Sequence, residues 1–207
     1  MASARRTGPE ESKTRTALLD AAEPLMLEEG YAAVSSRRVA ARAGMNAALV
    51  YYYFETMDDL FLALFRRRAE RTLEQQAHAL SSEQPLWGLW DLTHDQSNTA
   101  LNLEFVALGN HRKAIRAEIA TYSRKFRRVQ LDALSGVLAG YGIDPEVWPP
   151  SAVILFMSGI SRFLLMEEVY GLDIGHAEAI AIIERQIGLL EGDRRTSERC
   201  SMAEHTT

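Results

Sequence analysis

The sequence holds one cysteine, Cys200, in a polar stretch; this excludes a disulfide framework and makes a reducing cytoplasm the expected setting. It holds no glycine-rich phosphate loop, no HExxH and no GxSxG around a serine, so no enzyme activity and no cofactor are expected. The N-terminal MASARRTGPEESK lacks the apolar core of a signal peptide. Long hydrophobic runs are scarce. The most apolar, Ala152 to Met166, is interrupted by Ser158, Gly159, Ser161 and Arg162, and it falls short of the roughly 20 residues that cross a bilayer. A buried helix is expected there, and no membrane partner. An excess of positive charge is missing too: at a net charge of −5 the chain cannot bind nucleic acid through its total charge.

What is present is helical periodicity. The 207 residues are 47% hydrophobic and 25% charged, enough for a sizeable core, and no alternating strand segment or hairpin signal interrupts them. The fold class is all-α. A first helix is predicted over 13–29, with Leu18, Ala22, Leu25 and Met26 on one face and Gly30 as its stop. Pro24 inside it predicts a kink or bulge, because an interior proline costs about 3 kcal/mol. Later helices are predicted over 57–80, over 87–109 as one or two pieces, and over 112–141, 151–170 and 175–190. The segment 151–170 is apolar nearly all round and needs cover on two sides.

Between the first helix and residue 57 the spacing is different. Ser35 or Ser36 can cap a short helix to Ala43, Gly44 can supply a tight turn, and Asn46 can cap a third helix to Phe54. Two short helices joined by a glycine turn form a helix-turn-helix. With Val50 inward, Asn46, Ala47 and Phe54 fall toward the interior, Ala48 and Tyr52 point outward, and Tyr53 and Phe54 stay partly in the core. Thr56 and Asp59 have capping-box spacing and open a long fourth helix. Charge is also local here: Arg37, Arg38 and Arg42 occur between Ser35 and Phe54 without one acid.

The stretch AAVSSRRVAARAGMNAALVYYYFETMDDL resembles the DNA-binding signature of the tetracycline-repressor (TetR) family of bacterial regulators, over about residues 13–64. The resemblance implies an N-terminal helix-turn-helix three-helix domain joined by a long helix to a larger helical ligand-binding and dimerisation domain. It implies a cytoplasmic homodimer on a palindromic double-stranded DNA operator, usually a repressor released by a small-molecule effector. Ser36, Arg37 and Arg38 would stand at the start of the second helix. Asn46, Ala47, Ala48 and Leu49 would lie over base edges, and Tyr51, Tyr52 and Tyr53 would meet phosphates or thymine methyls. Two positions depart from the family: Met57 stands at a usual lysine that touches phosphate, and Ala48 at a frequent glycine or proline. Losing a charge contact flattens salt dependence, and apolar base-facing residues shift specificity toward DNA shape.

The expected organisation is a flexible basic arm over 1–12, the helix-turn-helix domain over 13–55, the effector and dimerisation domain over 56–191, and a disordered polar tail over 192–207. Trp87, Trp90, His94, Phe105, Tyr122, Phe126, Phe156 and Phe163 are candidates to line a cavity for an apolar or aromatic effector, although each also suits plain core. Ile160, Leu164, Ala179, Ile183, Ile187 and Leu190 are candidates for the dimer interface. Arg162, alone in an apolar helix, is expected to pair with Glu167, Glu168 or an acid of a second subunit. The competing class is a helical metal-binding or enzymatic bundle with an incidental helix-turn-helix-like start. Its one support is Asp91-x-x-His94, which places a carboxylate and an imidazole on one helix face but has no second copy. No metal site is expected.

Overall fold

Some of the helices begin on a side-chain cap and others on proline or glycine. In the computed structural model, which describes residues 9–195 and side chains from Lys13 on, they are α1 (Pro9–Glu29), α2 (Ser36–Arg42), α3 (Ala47–Tyr53), α4 (Met57–Leu80), α5 (Pro85–His94), α6 (Gln96–His111), α7 (Lys113–Gly140), α8 (Pro150–Glu168) and α9 (His176–Glu191). A 3₁₀ turn, Tyr31–Ala33, joins α1 to α2. The fold is all-helical, with no strand among the described residues. The start of the expected arm (1–8) and most of the expected tail (196–207), with Cys200, lie outside the described residues.

One boundary differs from expectation. α1 begins at Pro9 and takes in residues 9–12. Proline at the first helical position gives up only an N–H that has no partner there anyway. At Pro24, where a kink or bulge is expected, α1 continues as one helix, flanked by the buried Ala21, Ala22, Leu25 and Met26, whose packing offsets the lost backbone bond.

The chain divides into two units. The first comprises residues up to Glu74 together with Gln96–Arg128. Its core joins Leu18, Leu19, Ala22 and Met26 of α1 to Val39, Val50 and Phe54, and these to Leu60, Phe61 and Leu64 of α4, Leu101, Phe105 and Leu108 of α6, and Ile115 of α7. Three short helices of some 40 residues bury too little surface to stand alone, so the later helices complete their core.

The second unit comprises Gln75–Asp95 and the chain from Val129 on. Leu86, Leu89 and Trp90 of α5, Leu134 and Leu138 of α7, Ile154 and Met157 of α8 and Ile187 of α9 form its core. Residues 192–195 fold onto α5: the Trp87 indole N–H donates to the Gly192 carbonyl at 3.0 Å and Arg194 pairs with Asp91 at 2.5 Å. Glu191 accepts the Leu86 and Trp87 N–H groups at 2.7 and 3.0 Å, capping the start of α5.

Of the two sides of cover expected for α8, its unit supplies one. Only a narrow stripe, Ile154, Met157, Ser161 and Leu164, is buried, while Leu155, Phe156, Phe163 and Met166 are exposed. By length and composition alone α8 could cross a membrane. Within its unit it is covered on one side only.

Candidate nucleic-acid interface

The helix-turn-helix is fixed by two caps and one glycine. Ser35 Oγ accepts the Arg38 N–H at 3.4 Å and starts α2; Asn46 Oδ1 accepts the Ala48 N–H at 2.9 Å and starts α3. Between them Gly44 sits at φ +67°, a left-handed conformation in which a side chain is strained. α4 opens with a reciprocal box: Asp59 accepts the Thr56 N–H at 2.9 Å and donates its own N–H to Thr56 Oγ1 at 3.1 Å.

These caps set the rotation of α3. Val50 is wholly buried and Phe54 nearly so, with the Arg15 guanidinium 5.1 Å from the Phe54 ring centre. On the opposite side Tyr51 is 54% exposed and Tyr52 51%, with Leu49 and Ala48 beside them. Tyr53 is half-buried, its ring edge-on to Tyr52 at 5.0 Å. Asn46 is exposed rather than turned inward, because its side chain is engaged in capping. The Ser36 hydroxyl donates to the Tyr51 hydroxyl at 3.2 Å, tying the start of α2 to the outer face of α3. Met57 leans on the core of the unit.

The three arginines are not equivalent. Arg42 makes a two-pronged bond to Glu28, both contacts at 2.8 Å, and Arg38 is paired with Glu29. The bonds from Arg42 hold the Glu28 carboxyl below its ordinary value. The acid-free window is therefore neutralised from outside by the end of α1. Arg37 is exposed and makes no ion pair among the described residues. Sequence reading missed these pairs, although two acids in the last turn of a helix oppose its dipole and invite cations.

A second polar cluster braces the same unit. Glu23 of α1 accepts from Arg67 at 2.9 Å, Arg68 at 2.9 Å and Arg71 at 2.5 Å, all on α4, and Arg67 also reaches Asp20 at 2.6 Å. Burial works to raise the Glu23 pKa, but hydrogen bonds from Arg71 and Arg67 prevail and hold it below its ordinary value. At the start of α4, Asp58 pairs with Arg112 at 2.5 Å.

The effector candidates are divided between the two units. Phe105 is buried in the first unit's core, edge-on to Phe65 at 5.2 Å; Tyr122 meets the same ring at 5.7 Å, and Phe126 is half-buried on α7. Trp87 and Trp90 fill the second unit's core, and His94 stacks on Trp90 at 4.8 Å with its Nδ1 3.5 Å from Ser161. Phe163 points outward. Aromatic type signals burial without saying in which core. Of the eight, only Phe156 lines the groove that the second unit does contain, of about 410 Å³, walled by Leu86, Leu138, Trp148, Ile160, Ile182, Ile183, Leu189 and others, with Gln186 the one amide side chain among them.

The interface candidates differ in burial within the unit. Ile187 and Leu164 are buried, and Ile183 and Leu190 pack on the second unit's own core, while Ala179 and Ile160 are half-buried. The exposed side of α9 carries Ile182 and Leu189 instead, and that of α8 Leu155, Phe163 and Met166. Helical spacing says which residues share a face, not which face the chain itself covers. Arg162 is exposed, and Glu167 accepts from or pairs with His176 at 2.9 Å. Asp91 and His94 are engaged separately, and no group of three metal-ligating side chains occurs among the described residues.

Residues 18–64 match the family described as bacterial regulatory proteins, tetR family. Among solved structures, a transcriptional regulator from Rhodococcus sp. Rha1 is 22% identical, with a TM-score of 0.63 over 85% of this chain and 95% of that one. A transcriptional regulator from Saccharomonospora viridis in complex with choline is 16% identical, with a TM-score of 0.67 over 84% and 96%. FadR from Bacillus subtilis in complex with stearoyl-CoA is 16% identical, with a TM-score of 0.61 over 86% and 99%. At these identities the structures establish a shared fold. No curated protein sequence matches the chain.

Proposed function

We propose that the chain, whose residues 18–64 match the tetR family of bacterial regulatory proteins, is a cytoplasmic homodimeric repressor released from a palindromic operator by a small effector. The observation that carries this reading is the capped α2–turn–α3 unit, with Val50 wholly buried and Tyr51 and Tyr52 more than half exposed. An isolated aromatic cluster belongs in a core; this one faces water and ends in hydroxyl groups.

In this proposal Arg37 makes the charged contact, Tyr51 and Tyr52 donate to phosphates, Ser36 holds the Tyr51 hydroxyl, and Asn46, Ala48 and Leu49 face base edges. Arg38 and Tyr53 act from behind, because Arg38 is bound to Glu29 and Tyr53 is half-buried; Ala47, also half-buried, keeps the helix slim. Two copies related by a two-fold axis would place their α3 helices about 34 Å apart. The outward face of α8, with Leu155, Phe163 and Met166, suits the second copy. The groove with its apolar walls suits an apolar or aromatic effector, which must prefer the conformation that does not bind DNA.

Footprinting on the DNA flanking its own gene, at two salt concentrations, tests the reading. Protection of a palindrome is expected with wild-type protein, and its loss with Arg37→Ala and Tyr52→Ala at unchanged fold. Equal protection by both variants would remove α3 from the DNA.

A further inference from the structure

Two polar ties fasten α6 to the DNA-reading unit. Near its start, Asn98 accepts from Arg68 of α4, and Arg68 also pairs with Glu23 of α1. Six residues later, Glu104 Oε2 accepts the backbone N–H of Tyr31 at 2.7 Å, across 73 residues of chain. Tyr31 is the first residue of the 3₁₀ turn, where an N–H has no partner within the turn, and Gly30 before it has no side chain to cap it. The carboxylate of α6 does what a capping residue would do.

The backbone at the approach is one that glycine adopts without strain. Gly30 stands at φ +81°, and a Cβ built on it would come within 3.4 Å of the Glu104 carboxylate. From the turn the chain runs directly into α2. The Ala33 carbonyl accepts from Arg38, the buried Val34 follows, and Ser35 caps the helix that carries Arg37. Wherever the turn sits, the start of α2 sits with it.

We propose that Glu104 is a positioning residue for operator binding, a carboxylate latch by which α6 holds the 31–33 turn and so sets where α2 presents Arg37. A hydrogen bond of this kind is lost when its partners separate by about 1 Å, so a small displacement of α6 releases the turn. This rests on the DNA-binding reading above.

The test compares full-length wild type with Glu104→Ala and Glu104→Gln, by amide hydrogen exchange at residues 30–35 and by affinity for a footprinted operator, at a temperature where all three are folded. Alanine removes the acceptor, whereas the glutamine amide oxygen can still accept. Glu104→Ala is expected to speed exchange at Tyr31 and weaken operator binding, each by about tenfold, with Glu104→Gln within about threefold of wild type on both. If Glu104→Ala lowers the melting temperature but binds operator as wild type does, or if Glu104→Gln falls as far as Glu104→Ala, the latch is wrong. Wild-type protein that binds no DNA sinks the DNA-binding reading instead, and the two failures cannot be confused.

Discussion

The outer side of α3 and the outer side of α8 expose apolar bulk to almost the same degree: Tyr51 at 54% and Tyr52 at 51%, against Leu155 at 57% and Phe163 at 59%. Their chemistry is opposite. On α3 the exposed rings end in hydroxyls, with Arg37, which has no ion pair among the described residues, at the start of α2, and the face can stay wet until a polyanion displaces the water. On α8 Leu155 and Phe163 end in carbon and Met166 in a thioether, with the exposed Arg162 beside them, and an apolar face of that kind is usually covered by protein. Exposure alone does not identify a partner; what the exposed atoms can bond to does.

The largest effect should come from putting charge on the carbon face. Phe163→Glu is expected to convert a dimer into a folded monomer, a loss of at least about 100-fold in dimer affinity, read by light scattering with circular dichroism as the control. Unchanged mass at micromolar concentration would mean that this face does not hold the second copy. On the other face, Asn46→Ala removes the cap of α3 and should lower unfolding free energy by about 1 kcal/mol in a urea titration. A cap that contributes nothing would show that packing of Val50 and Phe54 alone sets the rotation of α3.

The smallest effect concerns Glu28. Hydrogen bonds from Arg42 depress its carboxyl below the ordinary 4.5, so its contribution to stability is present above that value and is lost as pH falls through the lower folded value. Wild type should therefore lose slightly more melting temperature than Glu28→Gln between neutral pH and pH about 3. Identical acid slopes would contradict the pairing.

Much of the reading surface was legible because its determinants are local. Ser35, Gly44, Asn46, Thr56 and Asp59 act on backbone groups two or three residues away, or on their own backbone, so sequence order already places donor beside acceptor. The inward turn of Val50 and Phe54 follows from period alone. What was not legible crosses between elements. Glu28 and Glu29 lie on α1, outside the window in which the arginines were counted, and no spacing rule connects them to Arg38 and Arg42. Glu104 reaches Tyr31 across 73 residues. The α9 stripe of Ile183, Ile187 and Leu190 was recognisable as a face, but whether the chain's own core or another copy covers it is a tertiary matter.

The central claim is that DNA is bound by an α3 surface rich in hydroxyls and poor in free cations, because Glu28 and Glu29 neutralise two of the three arginines near it. The salt dependence of operator affinity tests this most directly. With Arg37 as the charged contact in each of two protomers and a few cations besides, affinity should fall by no more than about 100-fold between about 50 and 200 mM salt, and Arg37→Ala should flatten that slope. A fall of about 1,000-fold or more, or a slope that Arg37→Ala leaves unchanged, would contradict the account.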